Sequence, residues 1–254
     1  MQKARPEHPT EDDICAEGER LAHAAIEAGV PLALIGGVAI WLRSPSMHGP
    51  PLQRSYNDLD IAITSSGQAA VKRFLEEQGY TPDRKFNALH GASRLIYVDA
   101  ARGRHLDVIK DRFVMCHTLD LRRRIEPGMA TLPLADLLLT KLQIVELNEK
   151  DLRDILGLLA DHAVGPGQEE IDPDRIVAVT RDDWGLDHTI RRTLGVARER
   201  ADWPGLPDGT AARIRQRIDG LLGLIDQSPK GMRWKMRARV GERVRWYELP
   251  EEAH

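Results

Sequence analysis

Cysteine is nearly absent. Cys15 and Cys116 are the two in 254 residues, and they form no CxxC pair. That excludes a disulfide framework and a cysteine zinc site. The nine histidines include no HExxH and no spaced ligand set. His90, His105 and His117 therefore read as polar surface or supporting residues rather than zinc ligands. A large excess of one charge is also missing, because the formal net charge is −3. The molecule as a whole is then no electrostatic nucleic-acid binder, and any basic surface must be local. The most apolar run, residues 30–42, is too short to span a membrane and holds Pro31 and two glycines. The opening "MQKARPEHPTEDDICAEGER" has no apolar core of a signal peptide. These absences lead us to expect a soluble cytoplasmic protein. Neither a P-loop with Gly-Lys-Ser/Thr nor a GxGxxG occurs. Internal repeats and low-complexity tracts are missing as well.

What is there has the profile of a globular chain: 42% hydrophobic and 30% charged residues. The length suits one large domain or two modest ones. Residues 11–29 have helical spacing, with Ile14, Leu21, Ala25 and Ile26 on one side. "PLALI" (31–35) reads as a short strand that stops at Gly36-Gly37, and "VAIWLR" continues as a helix. Three prolines and a glycine make 44–54 a loop. "DLDIAIT" (58–64) reads as a strand, followed by a helix to about Gly79 capped by Ser65 or Ser66. "RLIYVDAARGRHLDVIK" (94–110) reads as two strands turning near Gly103. Helices are expected over 134–148 and 150–162. Composition shifts at "VGPGQEEIDPD" (164–174), where Asp172-Pro173 looks like an N-cap with proline at the first helical position. Helical patterns follow at about 173–182, 186–201 and 210–227. The expected fold is therefore α/β (α+β): a mixed sheet flanked by helices over residues 1–163, then a helical domain with a basic tail over 164–254.

The chemistry concentrates in "YNDLDIAI". Residues two apart on a strand share a face, so Asp58 and Asp60 project together while Leu59, Ile61 and Ile63 face a core. Like charges so placed repel unless a cation compensates, and a hard divalent ion such as Mg²⁺ prefers oxygen ligands. Asp107 in "HLDVIK" is a third carboxylate on a strand. If the two strands are neighbours, three carboxylates converge, an arrangement able to hold two metal ions for in-line phosphoryl chemistry. The competing reading makes Asp58 and Asp60 solvent-facing residues of an edge strand. Gly36-Gly37 lies about twenty residues upstream. Glycine permits close backbone approach, and helix N-terminal N–H groups bind phosphate oxygens; the plainer reading is a tight strand-to-helix turn. Lys141 falls within the apolar stripe Leu134, Leu137, Leu138, Leu142, Val145. It either snorkels past the core or faces an anionic site. Asp151 and Asp154, on the next helix, read first as exposed helix-face acids and second as groups that orient Lys141 or a substrate.

Taken in order, "LIGGVAIWL", "RSYNDLDIAI" and "HLDVIK" resemble the DNA polymerase β-like nucleotidyltransferase superfamily. "LLLTKLQIVELNEKDLRDILGLL" is similar to the helical segment of the branch with abortive-infection-type toxins and antibiotic nucleotidyltransferases. There a lysine precedes a Lys/Arg-Asp-x-x-Asp element. The resemblance spans about residues 30–162. It implies that Gly36 and Gly37 hold the triphosphate of an NTP substrate and that Asp58 and Asp60 ligate two Mg²⁺ (or Mn²⁺) ions. Asp107 would complete the ion that activates the attacking hydroxyl. Lys141 would approach the nucleotide phosphates, and Arg54 matches an arginine found before the acid pair in the toxin-like branch. The chain departs from that branch at Leu147-Asn148, where a basic residue is expected, and in its proline-bearing loop at 44–54.

The expected activity is transfer of a nucleoside monophosphate to an acceptor hydroxyl, with loss of pyrophosphate. The acceptor would be a tRNA end, a small molecule or a protein side chain, and an antitoxin is an implied partner of the toxin-like branch. The alternative is a non-catalytic nucleotide- or partner-binding module. The tail carries seven basic residues between Lys230 and Arg245 against one acid, Glu242. It reads first as a closing helical hairpin packed through Trp234, Met236, Val240 and Val244, and second as a nucleic-acid contact using Trp234 and Trp246.

Overall fold

A computed structural model of the chain describes residues 9–249. The start of the segment read as lacking a signal peptide, residues 1–8, lies outside that range, as do residues 250–254. The chain is a mixed α/β protein forming two compact units. The first comprises the chain up to Leu42, Ser55–Phe113 and Leu119–Leu132; the second comprises Arg43–Arg54, Val114–Thr118 and everything from Pro133 onward.

The first unit is built on a five-stranded mixed sheet. Its strands are β1 (Leu32–Ile35), β2 (Leu59–Ile63), β3 (Thr81–Pro82), β4 (Arg94–Asp99) and β5 (Arg104–Lys110). Their order is β1-β2-β5-β4-β3. Only β2 and β5 run parallel; the other pairs are antiparallel. Four helices accompany the sheet: α1 (Ile14–Glu27), α2 (Gly36–Arg43), α3 (Gln68–Glu77) and α4 (Arg84–His90). Strand alternation gives the sheet two unlike faces. Leu34, Leu59, Ile61, Leu106, Val108, Leu95 and Tyr97 lie on the closed face and are buried. Each large aliphatic side chain there contributes about 1.5–3 kcal/mol of burial. Gly18 of α1 fits against this face: a Cβ there would lie 2.5 Å from Val38 and 3.3 Å from Leu59. The other face carries Asp60, Asp107, Arg94 and Ile96 and is half open.

Local chemistry sets the boundaries. Asp13 caps α1 by accepting from the backbone N–H groups of Cys15 and Ala16. After β2, the capping residue is Thr64 rather than Ser65 or Ser66. It accepts from Gly67 N–H, and α3 begins only at Gln68. The buried Glu17 is held by Arg20 and by the Tyr80 hydroxyl at 2.6 Å. Those hydrogen bonds outweigh the burial that opposes its charge and keep its carboxyl below the ordinary value.

The second unit is helical: α5 (Leu134–Leu142), α6 (Glu149–Asp161), α7 (Pro173–Thr180), α8 (Trp184–Glu199), α9 (Thr210–Gln227) and α10 (Met232–Val240). Contacts group α5 and α6 with the later helices. A short hairpin, β6 (Arg112–Val114) and β7 (Thr118–Asp120), lies where the chain passes from one unit to the other. The helix expected over 134–148 ends at Leu142, because Asn148 is used as the N-cap of α6 and accepts from Asp151 N–H at 3.0 Å. Asp172 and Pro173 start α7 as read.

The tail is anchored differently from expectation. Met236, Val240 and Val244 are 54%, 39% and 58% exposed. The tryptophans do the anchoring: Trp234 donates to Asp187 and Trp246 donates to Thr189. Indole N–H groups find partners when buried, and of the four residues expected to pack only Trp234 is held in this way. His117, expected near the surface, is buried and bonded to Thr189 at 2.8 Å, and burial pushes its imidazole below the ordinary value. Among the described residues no helix is long and apolar enough to cross a membrane.

Candidate functional site

On the half-open face of the first unit, Asp60 of β2 lies directly opposite Asp107 of β5. Neighbouring strands run about 4.8 Å apart, so the two carboxylates leave the sheet side by side. Asp58 precedes β2, outside the strand, and is exposed. On the outer flanks Ile35 opposes Asp60 and Ile96 opposes Asp107. The acid pair thus sits between two aliphatic walls, which limit the water available to separate the charges.

The glycine pair is tied to the acids by sterics. Gly36 follows Ile35 with φ +71°, a left-handed conformation that disfavours any side chain. A Cβ on it would fall 2.4 Å from Asp60 Oδ2. Gly36 backbone therefore backs onto the Asp60 carboxylate, and Gly37 follows in the first turn of α2.

A cation that sequence reasoning missed stands against Asp107. Arg94 of β4 donates from Nε to Asp107 Oδ1 at 2.7 Å, with its side chain 42% exposed. The bond to Asp107, with the further charge of Asp60, raises the guanidinium above its ordinary value despite burial. Its outer contact is the Phe86 ring of α4, 5.7 Å from Cζ. Among the described residues, Nη1 and Nη2 of Arg94 have no hydrogen-bond partner. The signal for Arg94 was in the hairpin register. A turn centred between Ala101 and Arg102, slightly before the expected Gly103, pairs Arg94 with Ile109 and puts it diagonally beside Asp107. Asp60 and Asp107 offer carboxylate oxygens side by side on a half-open face. Such a donor set suits a hard cation, although among the described residues no three His, Cys, Asp or Glu side chains gather into a ready-made metal group.

The other two expected nucleotide ligands belong to the second unit. Arg54 donates to Asp154 through Nε at 2.7 Å and Nη2 at 2.8 Å, a bidentate pair. Lys141 of α5 lies 2.8 Å from Asp151 Oδ1 and 2.9 Å from Asp154 Oδ2. The expectation of exposed helix-face acids is therefore corrected. Asp154 is fully buried and Asp151 nearly so, because α6 is packed by α5, α8 and α9. Burial works to lower the Lys141 ammonium, but the charges of Asp154 and Asp151 outweigh it and hold it above its ordinary value. Two cations and two acids balance here.

No family model matches the chain, and no curated protein matches it. The crystal structure of JHP933 from Helicobacter pylori is similar at 14% identity and a TM-score of 0.39. The match covers 91% of this chain and 98% of that one. A likeness of that size carries no argument about function.

Proposed function

We propose that the chain is a metal-dependent nucleotidyltransferase that moves a nucleoside monophosphate from an NTP to an acceptor hydroxyl. The observation that carries this reading is the register of Asp60 against Asp107 on adjacent parallel strands, with Gly36 backed onto Asp60. Asp60 and Asp107 would hold a divalent ion, with Asp58, just before β2, as a further carboxylate. Such an ion supplies charge neutralisation for the triphosphate and lowers the pKa of the attacking hydroxyl. The backbone of Gly36 and Gly37, at the start of α2, offers N–H groups to phosphate oxygens. In the transfer a bond forms between the acceptor oxygen and the α-phosphorus. The bond from that phosphorus to the bridging oxygen breaks, and pyrophosphate leaves with the electron pair. Asp107 would take the acceptor proton. The acceptor class remains among a tRNA end, a small molecule and a protein side chain.

One observation favours the alternative, a non-catalytic nucleotide-binding module: Arg94 already neutralises Asp107. The experiment that separates the two is incubation with α-labelled NTPs and Mg²⁺ or Mn²⁺ against separate tRNA, protein and small-molecule pools. The enzyme reading expects label on one pool, dependent on metal and lost in Asp60→Asn. Nucleotide binding without transfer to any pool supports the module instead.

A further inference from the structure

We propose that Arg94 is the resident counter-cation of Asp107 in the acid pair. It keeps the pair closed to a divalent ion until an anionic substrate arrives and engages its free guanidinium nitrogens. This inference rests on the nucleotidyltransferase reading and concerns the order in which its ligands bind.

Three features of Arg94 point the same way. It spends one donor, Nε, on Asp107, at 2.7 Å. A guanidinium carries five donors, and the two outer nitrogens have no partner among the described residues. Its side chain is 42% exposed and is flanked by an aromatic ring rather than by a second carboxylate of its own. The group is therefore charged and close to the acids, yet not locked in place. Contrast Arg54, which gives two donors to one buried carboxylate and is 11% exposed.

Electrostatics gives the consequence. A fixed positive charge against Asp107 opposes a second cation entering the same carboxylates, and the aliphatic flanks of Ile35 and Ile96 reduce the screening. A triphosphate changes the balance. It brings oxygen ligands for the metal and negative charge for Nη1 and Nη2, so Arg94 turns from competitor to phosphate ligand. Metal and nucleotide would then bind with positive coupling, and Arg94 would be the residue that couples them. Arg94 acts here as a positioning residue, since its effect on the metal passes through Asp107.

The test is Mn²⁺ titration of the full chain followed by electron paramagnetic resonance, without nucleotide and then with α,β-methylene analogues of the ribonucleoside triphosphates, which cannot be transferred. In the wild type, Mn²⁺ alone should bind weakly and the analogue should tighten it. Arg94→Met should bind Mn²⁺ alone about tenfold tighter or more, and the gain from nucleotide should shrink by a similar factor. Arg94→Lys, which keeps the charge, should behave like the wild type. Arg94→Gln supplies the neutral comparison should the methionine variant fold poorly. Equal Mn²⁺ affinity in the wild type and both neutral variants overturns the role of Arg94 while leaving the metal site intact. Absence of Mn²⁺ binding in every protein, with or without nucleotide, overturns the nucleotidyltransferase reading and this inference together.

Discussion

The two units each hold a cluster of two aspartates and basic side chains, and the clusters are built in opposite ways. In the second unit Asp151 and Asp154 meet Lys141 and Arg54, with Asp154 fully buried and both cations nearly so. Charge balances and the principal groups are engaged. In the first unit Asp60 and Asp107 stand side by side on a half-open face, and Arg94, bonded to Asp107, keeps donors to spare. A balanced buried cluster is closed and resists rearrangement, because removing one member strands a charge in a poor solvent. A half-open cluster whose arginine keeps donors to spare leaves room for a ligand. The lesson is that the same residue types hold a fold together or hold a substrate according to burial and balance.

The largest effect that sharpens this comparison is on turnover. Asp107→Asn should lose about 10²–10⁴-fold in rate while nucleotide affinity falls only modestly, and Asp60→Asn should damage both. Asp107→Asn should still cost little stability, because the ion pair it weakens with Arg94 is partly exposed. Pyrophosphate release in an acceptor pool and a urea melt measure the two sides. Full activity in Asp107→Asn would remove the distinction between the clusters.

Next comes the stability of the closed cluster. Asp154→Ala leaves Lys141 and Arg54 facing each other without their shared carboxylate and should cost about 3–5 kcal/mol of unfolding free energy. Lys141→Ala should likewise destabilise. If Lys141→Ala instead left the urea midpoint unchanged and weakened NTP binding, the cluster would be a ligand site rather than a structural one.

Gly36→Ala should cost about 1–2 kcal/mol from the left-handed backbone. The added methyl would also collide with Asp60, so Mn²⁺ binding should weaken along with stability. A melt unchanged from the wild type would show that the turn can relax away from the acid.

The smallest expected effect is on pH. The Lys141 ammonium is held above its ordinary value by Asp154 and Asp151 against the opposing effect of burial. A group whose folded pKa is raised stabilises fully below its unfolded pKa, so this contribution is present below about 10.5 and is lost as pH climbs through the folded value. Urea melts at neutral and alkaline pH should show a steeper alkaline loss in the wild type than in Lys141→Met. Parallel losses would place the sensitivity elsewhere, for instance at Tyr80, whose hydroxyl burial drives upward.

The strands β2, β4 and β5 and the helix after Gly36-Gly37 were legible because period-2 and period-3.6 patterns are local. The alternation that sets Asp60 opposite the buried Leu59 and Ile61 is equally local. β3 and α4 were not legible: two and seven residues leave too little pattern to detect. α5 was read too long, since the apolar spacing runs on past Leu142 while the capping choice of Asn148 depends on where α6 packs.

By itself the sequence determined which residues alternate, where glycine interrupts, and hence that an acid strand follows a glycine turn. Those are matters of backbone geometry within a few residues. Tertiary structure alone decided that Asp60 stands against Asp107, that Arg94 attends Asp107, and that Asp154 is buried with Lys141 and Arg54. Each of these joins residues from 13 to 100 positions apart, with Arg94–Asp107 and Lys141–Asp154 the nearest and Arg54–Asp154 the most distant. A carboxylate's meaning, as ligand or as buried strut, is set by the charges and the solvent that such distant segments bring to it.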